Sequence, residues 1–72
     1  MVQKNIKLRK DEEYITLGVL LKIAGIIDTG GQAKYFLNEN VVLVNDEEDN
    51  RRGRKLYHGD KVQVQGQTFL IE

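Results

Sequence analysis

The sequence predicts an α+β domain, with two short helices packed on a small, twisted, mostly antiparallel sheet. Three observations carry this expectation. Apolar residues recur at helical spacing over residues 17–24 and again over 33–37. A β-branched run at 41–44 follows, where the period changes from helix to strand. Near the end of the chain Val62 and Val64 alternate with Gln63 and Gln65, and Phe69 and Ile71 repeat the pattern.

Residues 1–13 are a basic, polar segment. Ile6 and Leu8 alternate with Lys7 and Arg9, which predicts a short edge strand. Thr16 is placed as the N-cap of the first helix. Leu17, Leu20, Leu21 and Ala24 form its apolar face, with Val19 and Ile23 widening it. Gly25 follows where a left-handed residue ends a helix. Gly18, inside the first turn, costs roughly 1 kcal/mol against alanine; it is read either as a close approach of backbone or as a glycine simply tolerated near a helix N-terminus. Ile26 and Ile27 connect the helices through the core.

Thr29 caps the second helix, and Gly30 and Gly31 let the chain turn there while keeping its first N–H groups open. Ala33, Phe36 and Leu37 define the buried stripe, so Gln32, Lys34, Tyr35 and Asn38 face out. Asn40 ends the helix in the left-handed conformation, and a strand spans 41–45. Residues 45–50 are expected to be an acidic exposed loop, and 51–56 an extended or irregular basic segment. His58, Gly59 and Asp60 form a turn, and 65–67 reverse the chain between the last two strands.

Seventy-two residues make one small domain with a modest core. With no cysteine, neither a disulfide nor a thiolate metal site is available. No run approaches the ~18 apolar residues of a membrane span, and the start of the chain lacks the apolar centre of a signal peptide. These features predict a soluble cytoplasmic domain with no membrane partner.

Eleven basic and eleven acidic residues cancel, so only their distribution is informative. Lys4, Lys7, Arg9 and Lys10 form one basic block, and Arg51, Arg52, Arg54 and Lys55 another. Asp46, Glu47, Glu48 and Asp49 stand between the strand and the second block. Such segregation gives a neutral protein a positive and a negative face; solvated loops are the plainer reading of the same charges. Phosphate binding is the chemistry these residues serve best. Free amides at Gly30, Gly31 and Gln32 suit an anion at a helix start. Lys34 adds a charge one turn in, and Arg51, Arg52, Arg54 and Lys55 supply charge-assisted hydrogen bonds. Tyr35 and Tyr57 can stack on unpaired bases. Enzymatic chemistry is poorly supplied, because the chain lacks cysteine and serine and its single histidine lies in a turn. A nucleotide P-loop fails because Gly31 stands where its lysine must be. The acidic run lacks the glycine and distal glutamate of a calcium loop. No metal, cofactor or small-molecule substrate is expected.

The order of these pieces resembles the RNA-binding domain named after ribosomal protein S-four, also called the αL motif. The matching pieces, over residues 14–72, begin with the helix at 17–24. Thr29-Gly30-Gly31-Gln32-Ala33-Lys34 then opens the second helix, and Val41-Val42-Leu43-Val44-Asn45 forms the core strand. Leu56-Tyr57-His58-Gly59-Asp60-Lys61-Val62 closes the module. The Thr-Gly-Gly-Gln-Ala-Lys and Asn-Arg-Arg-Gly-Arg-Lys-Leu segments look like small stand-alone bacterial members of the YaaA type. The resemblance implies two helices on a twisted sheet and a basic groove for structured RNA, ribosomal RNA foremost. It implies backbone recognition by the second-helix N-terminus and the 51–55 loop, from Thr29, Gly30, Gly31, Gln32, Lys34, Tyr35, Asn38, Arg51, Arg52, Arg54 and Lys55. Within that set Gln32, Lys34 and Tyr35 would reach base edges or riboses. Duplex DNA fits less well, since neither helix is free to enter a major groove. Two positions depart from the family. Gly30 stands where many members have arginine, and Asp46 follows the strand asparagine where glycine is common. The alternative is a protein-interaction module of the same fold, which the neutral charge and the acidic 46–49 segment favour.

Overall fold

The computed structural model describes residues 2–72. Strands β1 (Val2–Ile6) and β2 (Tyr14–Thr16) precede helices α1 (Leu17–Ile23) and α2 (Gly30–Glu39). Strands β3 (Val42–Val44), β4 (Glu47–Glu48), β5 (Lys55–Tyr57), β6 (Lys61–Val64) and β7 (Gln67–Ile71) follow. Five of them form a sheet in the order β1-β7-β6-β3-β4, while β2 and β5 pair as a separate ribbon. Only β1 with β7 is parallel. The expected α+β class, with a mostly antiparallel sheet, is what the chain adopts.

Both helices form where apolar spacing places them. Thr16 Oγ1 accepts from the Val19 N–H at 3.4 Å, and Gly25, at φ 76°, follows the end of α1. Leu17, Leu20 and Leu21 are buried, as are Ala33 and Leu37 of α2. They cover one face of the sheet, where Val42, Val44, Val62, Val64, Phe69 and Ile71 recur with the period of two that a pleated strand requires. Ile27 joins this core and Ile26 packs against it.

The structure corrects several local expectations. Val19 and Ile23 are 43% and 56% exposed, so the apolar face of α1 is narrower than its sequence suggests. Asn40 ends α2 in extended backbone (φ −129°, ψ 146°); its amide Nδ2 and backbone N–H both donate to the Phe36 carbonyl. Val41 lies outside β3 and is exposed. The edge strand sits at Val2–Ile6, earlier than the alternation at 6–9. Strand β2 has only three residues, too few for a period to be read. The acidic segment is not a plain loop: Asn45 and Asp46, at φ 52° and 70°, make a two-residue hairpin turn that pairs Glu47 with Val44. A left-handed residue is required at 46, which is why glycine suits that position and aspartate tolerates it.

The turns at 45–46 and 58–60 are locked together. Asn45 Nδ2 donates to Asp60 Oδ1 at 3.1 Å, and Asn45 Oδ1 accepts from the Lys61 N–H at 3.0 Å. Asp60 Oδ2 accepts from the Tyr57 N–H at 2.7 Å. The Asp60 carboxylate therefore closes turns and does not orient His58.

Candidate functional site

Residues 51–54 reach the helices through backbone. The Leu17 N–H donates to the Arg54 carbonyl at 2.8 Å and the Gly18 N–H to the Arg52 carbonyl at 2.9 Å. Two of the amides that open α1 thus find their acceptors in this loop. Gly18 permits the approach. A Cβ built there would stand 3.0 Å from Arg52 Cγ, 3.4 Å from the Arg52 carbonyl oxygen and 3.8 Å from Ala33 Cβ. Gly18 therefore stands between Arg52 and Ala33, a buried residue of the first turn of α2.

At that helix start Thr29 is the N-cap, in extended backbone (φ −133°, ψ 159°). Gln32 folds back, and its Oε1 accepts from the Asp28 N–H at 2.6 Å and the Thr29 N–H at 3.2 Å. The Gln32 N–H in turn donates to the Thr29 carbonyl at 3.2 Å. Gln32 is thus engaged as a cap and keeps its side-chain NH₂ free, and the open amides of the helix start are those of Gly30 and Gly31. Neither glycine has a positive φ, so no tight turn requires them. A Cβ at Gly30 meets nothing within 4 Å, and one at Gly31 meets only Thr29 Oγ1 at 3.9 Å. Changing both to alanine should keep the fold and raise stability by about 0.5 kcal/mol, seen as a higher urea midpoint.

Lys34 and Tyr35 are exposed, Tyr35 at 72%. Asn38 is exposed too, but lines a hollow with Glu39, Glu48, Asp49 and Asn50, in acidic company.

The cations of the loop differ in their partners. Arg51 grips Asp49 with two bonds, Nε to Oδ1 at 3.1 Å and Nη2 to Oδ2 at 2.8 Å, and its backbone N–H donates to Oδ1 at 2.9 Å. Arg54 Nη1 reaches Asp49 Oδ2 at 2.9 Å. The Asp49 side chain is only 6% exposed. The Arg51 bonds, with the Arg54 bond added, hold its carboxyl far below the usual carboxylate range despite the opposing effect of burial. The same carboxylate pushes the Arg51 guanidinium up. Among the described residues, neither Lys34 nor Arg52 has an ion-pair partner. Lys55 stands over the Tyr14 ring, with Nζ 5.1 Å from the centroid.

Sequence reasoning missed two participants. Asp49 was grouped with its acidic neighbours, although it lies two and five residues ahead of the arginines it clamps. Tyr14 carried no local signal, because only pairing with β5 brings it to Tyr57. Among the described residues, no group of acidic, histidine or cysteine side chains could hold a metal, and no helix is long and apolar enough to cross a membrane.

Two helices on a mixed sheet, with a basic loop seated across the start of α1, define a small α+β module whose exposed chemistry is cationic and hydrogen-bonding. The chain belongs to the S4 domain family, which matches residues 6–72. It is similar to the "Probable ribosome maturation protein RlbA" of Bacillus subtilis (strain 168), with 64% identity over 56 residues, or 78% of this chain and 79% of the relative. No solved structure matches it.

Proposed function

We propose that this protein is a non-catalytic, cytoplasmic RNA-binding module that recognises structured RNA, ribosomal RNA first, in the course of ribosome maturation. The observation that carries the reading is the position of Gly18, which bonds the Arg52 carbonyl on one side and lies near Ala33 of α2 on the other. In this reading the segments 29–35 and 51–55 form one strip. A phosphate would sit on the Gly30 and Gly31 amides at the positive end of α2. Lys34 and Arg52, both without a carboxylate partner, would take neighbouring phosphates. Tyr35 and the free NH₂ of Gln32 would reach riboses or base edges. Family membership and the name of the Bacillus relative both support this reading.

The test is a titration of purified protein with ribosomal RNA and with matched duplex DNA across a salt series. RNA affinity should fall steeply with salt. In a Lys34→Ala, Arg52→Glu double variant it should drop by about tenfold or more, with a salt slope shallower by about 1 to 2. Arg52 is the better probe than Arg51, because reversing Arg51 would set a carboxylate against Asp49 and disturb the loop itself.

A protein-interaction reading has one observation of its own. Val19 and Ile23 stand exposed on α1 beside Lys7, Arg9, Glu12 and Lys22, as an apolar patch with a charged, mainly basic rim. A folded protein that binds no RNA even at low salt would favour it.

A further inference from the structure

The ribbon of β2 and β5 sets Tyr14 opposite Tyr57 and Thr16 opposite Lys55. The two rings lie 5.6 Å apart at 51°, and the Lys55 ammonium stands over Tyr14. Even so packed, Tyr14 is 39% and Tyr57 45% exposed, so aromatic surface remains open. Tyr57 and Lys55 pass directly into a hollow shared with Arg51, Gly53, Arg54 and Asp60. Asp49 fixes the two guanidiniums there, leaving Arg51 Nη1 and Arg54 Nε and Nη2 without an acceptor among the described residues. Both Asp60 oxygens are already bonded, to Tyr57 N–H and Asn45 Nδ2. A Cβ at Gly53 would meet nothing within 4 Å, so the glycine leaves open space at a point where the fold does not demand it.

We infer that this hollow receives an unpaired nucleotide of the bound RNA. Its base stacks on Tyr57, which Tyr14 buttresses from behind, and its phosphate is held by Arg54 and Lys55. Base faces are hidden inside a duplex, so an aromatic surface beside cations selects a bulged or looped-out residue. Asp49 acts as a positioning residue, holding the guanidiniums toward the phosphate. The inference rests on the RNA-binding reading and adds to it a preference for RNA with a nucleotide displaced from its stack.

The experiment uses two synthetic RNA hairpins, each closed by a non-nucleotide linker and identical except for one bulged adenosine, titrated with the full chain by fluorescence anisotropy. The wild-type protein should bind the bulged hairpin about tenfold more tightly. Tyr57→Leu should erase that preference, and Tyr57→Phe should retain it. Gly53→Leu, whose Cβ meets nothing within 4 Å, adds bulk at the hollow and should also erase it; this variant covers the case in which Tyr57→Leu fails to fold, as checked by circular dichroism. Equal wild-type affinity for both hairpins, still sensitive to the Lys34 and Arg52 changes, would overturn this inference alone. A preference that survives both Tyr57→Leu and Gly53→Leu would do the same. No binding of either hairpin would overturn it together with the RNA-binding reading.

Discussion

Gly18→Val should cost the domain about 3 kcal/mol, through overpacking against backbone that cannot retreat. A Cβ at this position already stands 3.0 Å from Arg52 Cγ and 3.4 Å from the Arg52 carbonyl oxygen, before a branched side chain is added. The loop cannot simply shift, because the same carbonyl accepts the Gly18 N–H and the Arg54 carbonyl accepts the Leu17 N–H. Moving it would strand two amides at the start of α1 beneath a packed core. A domain this small has a margin of about 3 to 5 kcal/mol, so the loss removes most of it. The melting temperature should fall by roughly 15 °C in a calorimetric scan. Gly18→Ala should lose much less, since alanine's helix propensity returns up to about 1 kcal/mol. At temperatures where the valine variant is still folded, its RNA affinity should also fall, because Arg52 has been displaced. An unchanged melting temperature would show that the loop does not rest on α1.

Asp49→Ala should be the next most damaging of these changes, at about 2 kcal/mol in urea denaturation. The carboxylate is nearly buried and joins the Arg51 backbone N–H to two guanidiniums. The Arg51 bonds hold the carboxylate most strongly, although Arg51 is 69% exposed and water screens part of their effect; the Arg54 bond adds to them. The effect carries a pH signature. Asp49 is held below its ordinary value of 3.8 in the folded protein. A depressed carboxylate contributes stability that is fully present above the unfolded value and is lost as pH falls through the folded one. The wild-type advantage over the alanine variant should therefore be full at about pH 6 and clearly smaller at about pH 2.5. Taking the difference between the two proteins cancels the carboxylates they share. A gap independent of pH would mean that packing around residue 49, and not its charge, is what the variant loses.

How much of this was legible in the sequence depends on the range of the interactions. Apolar spacing from Leu17 to Leu37 places both helices, and alternation at Val62, Val64, Phe69 and Ile71 places the last two strands. Periods of 3.6 and 2 follow from backbone geometry, so a single chain displays them without help. Turn chemistry was equally local at Gly25, Gly59 and Gly66, all with positive φ. The candidate strip was legible as two segments, because cations and helix-opening glycines are visible wherever they stand.

Tertiary structure alone decided where those segments lie. Leu17 and Gly18 seat the 51–54 loop by backbone bonds to partners 37 and 34 residues away, and no local pattern encodes such a distance. It also decided which charges are free. Asp49 is one of four neighbouring acids in the sequence, yet it alone turns inward to clamp Arg51 and Arg54, while Arg52 and Lys34 have no ion-pair partner among the described residues. Tyr14 joins Tyr57 only because β2 leaves the main sheet to pair with β5. Composition and periodicity determined the class of fold and the kind of chemistry on its surface. Which groups stand together, and which carry their charge outward, was set by packing, because pairing depends on distances that only the folded chain creates.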